Sequence, residues 1–234
     1  MSSDRRISFA AGVLFLITFV TSIPALALFQ PVLDDPAGFI AGAGGDNKIF
    51  LGVTLELILV VANVATAVVL VPVLRRTSEM LSLGYVTARI IESVFIAAGI
   101  LCVLGIVSLQ QDDPSAGALA VSLAAIKDWT FLLGPGVMVG IGNGLILGYL
   151  MYRSQLVPRR MAMLGLIGGP LVIASGIAVL FDVIAPGSAA QGLATVPEIA
   201  WELSLGVYLT IKGFKASPVV RDTPGLAPEV QPAT

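Results

Sequence analysis

The chain has 234 residues, of which 56% are hydrophobic and only 12% charged. Soluble domains carry about 25% charged residues, so this composition excludes an ordinary soluble fold and points to an all-α polytopic membrane protein, one domain with short loops and no separate catalytic module. A net charge of −2, with basic residues scattered over loop ends, excludes a nucleic-acid partner. The single cysteine excludes an intrachain disulfide, and the absence of histidine excludes bis-histidine haem, a histidine-bound zinc site and a serine-histidine protease.

In chain order, the polar leader with Arg5 and Arg6 is followed by an uncharged run over 7–29, long enough to cross the roughly 30 Å hydrocarbon core as a helix. A basic leader, an apolar run and Ala25-Leu26-Ala27 also fit a cleavable signal peptide, but the run exceeds the roughly 7–15-residue core of such signals, so the reading retains it as a span. An acidic loop over 30–48, with Asp34, Asp35 and Asp46, leads to a second span over 49–74 carrying Glu56 and Asn63 on one helical face. The turn with Arg75 and Arg76 precedes a third span, 84–109, in which Arg89 and Glu92 stand at the i, i+3 spacing of a structural ion pair. Arg89 is expected to lean back toward the headgroups. A second acidic loop, 110–128, turns apolar from Ala116 and reads as a short interfacial helix at most.

The fourth span, 129–152, repeats glycine every fourth residue at Gly136, Gly140, Gly144 and Gly148, with Asn143 beside them. Small residues in such a track let another helix approach closely, a main source of attraction where lipid removes the hydrophobic force. The fifth span, 161–184, offers a matching pair, Gly165 and Gly169. The sixth, 196–214, opens on Thr195-Val196-Pro197-Glu198, read as a capping box. The proline-rich stretch 215–234 reads as a disordered cytoplasmic tail outside the domain of 1–214.

Ten basic residues fall in the leader, alternate loops and tail, against Lys48 and Lys127 in the opposite loops. By the positive-inside rule both termini are cytoplasmic.

Six blocks carry a resemblance: ITFVTSIPA from Ile17, ANVATAVVLVPVLRR from Ala62, GYVTARIIES from Gly84, DWTFLLGPG from Asp128, YRSQLVPRRMAMLGLIGGPL from Tyr152 and WELSLGVYLTIKGF from Trp201. Together they resemble the domain-of-unknown-function family 4386, which implies a bacterial inner-membrane protein and no defined reaction or ligand. The 30–48 loop and the tail lie outside the resemblance.

Polar residues inside spans are costly and face the bundle interior or a cavity. Glu56 and Glu202 fall at matched depth, roughly 10 Å below the outer surface at 1.5 Å per residue, with Glu198, Asp128 and Asp182 nearer that surface. One reading makes Glu56, Asn63, Glu202, Asp128 and Glu198 an outward-facing acidic pocket for a cation or small molecule. The other makes Glu198 a cap, Asp128 and Asp182 interfacial, and Glu56 and Glu202 separately hydrogen-bonded. Trp129, Trp201, Tyr149 and Tyr152 are read as interfacial aromatics and Cys102 as core. No catalytic residue, metal site or cofactor is expected. The function classes left are a small-molecule or cation binding protein or transporter, and an accessory protein packing with itself or a membrane partner through the glycine track.

Overall fold

The computed structural model describes residues 2–42, 46–113 and 115–217; the expected disordered tail falls mostly outside them. The chain is all-helical among the described residues, as backbone groups deprived of water must bond within their own segment. The elements are α1 (Ser3–Asp34), α2 (Pro36–Ala41), α3 (Asp46–Leu74), α4 (Glu79–Asp112), α5 (Gly117–Ser154), α6 (Arg159–Leu180) and α7 (Ala189–Ile211). Five of them, α1 and α3 to α6, are long and apolar enough to cross a membrane. α7 is 23 residues long but carries Gln191, Pro197, Glu198 and Glu202, which dilute its apolarity.

Side chains stop and start the helices. Ser2, Ser78 and Ser188 accept the backbone N–H three residues on, at 3.3, 3.3 and 3.4 Å, satisfying donors a helix start leaves open. α7 therefore begins two turns before Thr195, which lies inside the helix and donates to Gln191 O. The expected capping box is overturned, because Ser188 already supplies the cap. Nor does Lys127 sit in a loop. α5 runs unbroken from Gly117, so the expected second acidic loop ends well before residue 128.

The long helices close into a ring in which each packs on its sequence neighbour and α7 returns to α1, while α2 wedges against α4 and α5. At one end Arg5 donates to the last carbonyls of α7, to Leu209 O at 2.9 Å, Thr210 O at 2.9 Å and Ile211 O at 3.0 Å. There Arg76 also meets Asp4 at 3.5 Å, and Lys215 N donates to Leu156 O at 2.7 Å. Positive charge at a helix C-terminus is favourable, and this end gathers the basic residues. At the other end Gln110 Nε2 donates to Phe39 O and Gly42 O, at 3.0 and 2.9 Å, fastening α2 down beside Asp34 and Asp35.

Two apolar clusters fill the ring. The basic end holds Phe15, Leu70, Tyr85, Leu147, Met151, Ala162, Trp201 and Leu205, drawn from every long helix; the acidic end holds Phe29, Ile49, Ile96, Val103 and Ala120, drawn from α1, α3, α4 and α5. α6 and α7 thus contribute to the apolar cluster at the basic end and not to the one at the acidic end. Trp201 is wholly buried and donates to Asn143 O at 2.9 Å, which overturns its reading as an interfacial aromatic.

α5 widens to π-type turns over Leu132–Met138 and Gly140–Leu147. The four-residue glycine spacing therefore does not keep one face. A Cβ on Gly140 would meet Gly169 O at 2.8 Å, one on Gly144 would meet Gly169 N at 2.8 Å, and one on Gly148 would meet Leu166 N at 3.3 Å. On Gly136 it would meet only its own helix. Three glycines face α6 and the fourth turns away, so the track is taken up within the chain. Gly169 answers Gly140 and Gly144, and Gly165 both lies against Gly148 and makes room for the Trp201 ring.

Candidate functional site

A polar layer lies between the two apolar clusters. Asn63 on α3 and Arg89 and Glu92 on α4 form a closed triangle: Arg89 Nη1 donates to Glu92 Oε2 at 2.7 Å, Asn63 Nδ2 donates to Glu92 Oε1 at 3.1 Å, and Arg89 Nη2 donates to Asn63 Oδ1. Arg89 is only 2% exposed, so it does not reach back to headgroups as the sequence suggests. The triangle holds it inward, and the bare Gly142 lets its stem lie against α5. A buried charge is tolerable when paired and hydrogen-bonded; Arg89 bonds through Nη1 and Nη2, while its Nε has no partner among the described residues.

Glu56 is similarly answered. Lys127 Nζ lies 2.7 and 2.9 Å from its two oxygens, and the Phe29 ring centroid stands 5.1 Å from the same ammonium. Lys127 is buried, and no sequence signal links it to a glutamate 71 positions earlier. Asp128, its neighbour, is exposed and lies apart from the layer, on a second cavity between α5, α6 and α7. Asp182 is exposed beyond the end of α6.

Two carboxylates on α7 have no cation of their own. Glu202 accepts a hydrogen bond from Asn143 Nδ2 and, among the described residues, makes no ion pair. Glu198 is 2% exposed, and neither of its oxygens has a hydrogen-bond partner among the described residues. Its carboxyl fits where α5 and α6 are both bare, since a Cβ at Gly144 or Gly168 would come within 2.8 or 2.7 Å of Oε2. Glu198 feels the charges of Glu202, Arg89 and Glu92.

Glu56, Asn63, Arg89, Glu92, Glu198 and Glu202 all line one cavity of about 420 Å³, within the 300–1,000 Å³ typical of small-molecule sites. The rest of its wall is mainly apolar, from Phe19 and Leu26 on α1 to Ile96 on α4 and Leu203 on α7. Glu56 and Glu202 therefore border one space, though each already has a different partner. Among the described residues no three His, Cys, Asp or Glu side chains are grouped to hold a metal ion. Asn143 was legible as a polar residue amid glycines; its bond to Glu202 was not.

No curated protein and no solved structure matches this chain. The model of the family described as Domain of unknown function (DUF4386) matches residues 10–213. With nearly the whole helical bundle inside that match, the chain belongs to the DUF4386 family.

Proposed function

We propose that the protein is a membrane-embedded binding protein or carrier for a small organic cation, which sits in the central cavity with its charge against Glu198 and Glu202. The observation that carries this reading is Glu198, a buried carboxyl without a hydrogen-bond partner on the wall of a cavity. Arg89 answers Glu92 and Lys127 answers Glu56, so negative charge on α7 is in excess. A buried carboxyl with no cation is held neutral by a proton rather than left as an ion, and an incoming positive charge can take that proton's place. That the described residues form no chelating cluster favours a diffuse organic cation over a coordinated metal. The same inventory, which among the described residues offers charge and shape, supports a binding role over catalysis.

Tetramethylammonium serves as the probe. Titrated into protein in nanodiscs of zwitterionic lipid, it should raise the melting temperature progressively once its concentration passes Kd, since a ligand bound only by the folded state at free concentration L stabilises it by RT ln(1 + L/Kd). Glu198→Gln should abolish the response. An unchanged melting temperature in wild type, or an equal response in the variant, would sink the reading.

The basic end is read as cytoplasmic and α7 as a sixth span. In a Cys102→Ser background, Ser115→Cys and Ala190→Cys should be labelled by impermeant maleimide on intact cells, whereas Arg75→Cys and Lys215→Cys should label only after lysis. Labelling of Lys215→Cys from outside would remove the sixth span, and a wholly reversed pattern would overturn the orientation.

A further inference from the structure

We infer that the cation is amphiphilic and enters sideways from the bilayer through a gap between α1 and α7. This deepens the central-site reading and rests on it. The two helices run antiparallel and touch near the basic end, where a Cβ on Gly12 would meet Gly206 O at 2.7 Å and one on Gly206 would meet Phe15 Cβ at 3.1 Å. Farther along, both helices border the central cavity. Thr18 to Leu26 on α1 and Thr195 to Leu203 on α7, the stretches that should meet next in antiparallel register, both line the cavity instead. On α1 this stretch is about 12 Å long at 1.5 Å per residue.

The rim of this gap is hydrocarbon and faces outward: Ile23 is 64% exposed, Leu26 42%, Ile199 47% and Leu203 43%. In a membrane that outward side is lipid. Leu203 also belongs to a shallow apolar groove on the flank of α7, with Val207 and Ile211, which continues the greasy surface away from the opening. Opposite the rim, on the inner side of α7, lies the buried Glu198. The gap thus joins lipid on one side to excess negative charge on the other. A hydrated ion gains nothing from an apolar rim, and a neutral lipid gains nothing from Glu198. A molecule with a cationic head and an alkyl tail satisfies both, its head against the α7 carboxylates and its tail in the gap.

The test compares dodecyltrimethylammonium, below its micelle concentration, with tetramethylammonium on protein in zwitterionic nanodiscs, reading the melting temperature. The long-chain probe should give the same rise in melting temperature at a concentration at least about tenfold lower, because its tail leaves water on binding. Ile23→Trp or Leu203→Trp, on the rim of the gap, should fill it and weaken the long-chain probe by at least about tenfold, because its tail loses its apolar seat, while weakening the short one by less. Glu198→Gln should abolish both responses. Equal potency of the two probes, or a long-chain response untouched by both tryptophan variants, would overturn lateral entry and leave the cation site standing. A long-chain response that persists in Glu198→Gln would mark a bilayer effect and overturn the inference. Failure of tetramethylammonium alone to respond would instead count against the central site.

Discussion

Gly144→Leu should destabilise the bundle by roughly 3 kcal/mol, the upper part of the usual range for forcing a side chain into a closed packing site. At this position the neighbour is backbone, which cannot rotate aside: an added Cβ would lie 2.8 Å from Gly169 N and 2.8 Å from Glu198 Oε2. Gly169→Leu should cost about as much from the opposite side, because its Cβ would meet Gly140 O at 2.6 Å and Gly144 Cα at 3.0 Å. Gly136→Leu is the control. It belongs to the same sequence repeat, but its Cβ would meet only Phe131 O at 3.6 Å and Leu132 at 3.9 Å, so it should be nearly silent. Thermal unfolding in detergent, followed by circular dichroism, reads all three. Equal losses at 136 and 144 would mean that the repeat acts as one face and that the widened turns of α5 do not matter.

Arg89→Leu should be more costly, about 3–5 kcal/mol, the range for removing one partner of a buried ion pair. The loss is not that of a single bond. Glu92 would keep only the Asn63 amide, and Asn63 Oδ1 would lose its donor, with both groups still buried. The double variant Arg89→Leu with Glu92→Leu removes both charges and should recover much of the stability, because apolar replacement of a whole buried pair is often neutral. Comparing single and double variants by unfolding in denaturing detergent separates the pair from the packing. A silent Arg89→Leu would show that the guanidinium lives at the headgroups, as its helical position alone suggests.

The contrast between these two sites shows where sequence reasoning reaches and where it stops. A charge content of 12% and long uncharged runs determine an all-helical membrane protein, since no other structure satisfies backbone groups in lipid without closing a barrel. The blocks from ITFVTSIPA to WELSLGVYLTIKGF were enough to indicate the family, because they recur in helix-packing segments throughout the chain. The spacing of Arg89 and Glu92 announces a local pair, as neighbours three apart share a face whatever surrounds them. Periodicity places a residue on the face of its own helix and says nothing about which helix stands opposite. The partner of Glu56 is Lys127, 71 residues away, and depended on α5 continuing as helix through a stretch whose acidic start resembles a loop. Glu198 looks like a cap in Thr195-Val196-Pro197-Glu198, and becomes a buried carboxyl only because Ser188 starts α7 two turns earlier. Gly136 left the track when α5 widened, a change of turn that four-residue counting cannot register. The central cavity follows from the same cause: α1 and α7 touch at Gly12 and Gly206 and farther along both line the cavity, and how two helices pack is set by how their surfaces interlock rather than by either sequence alone.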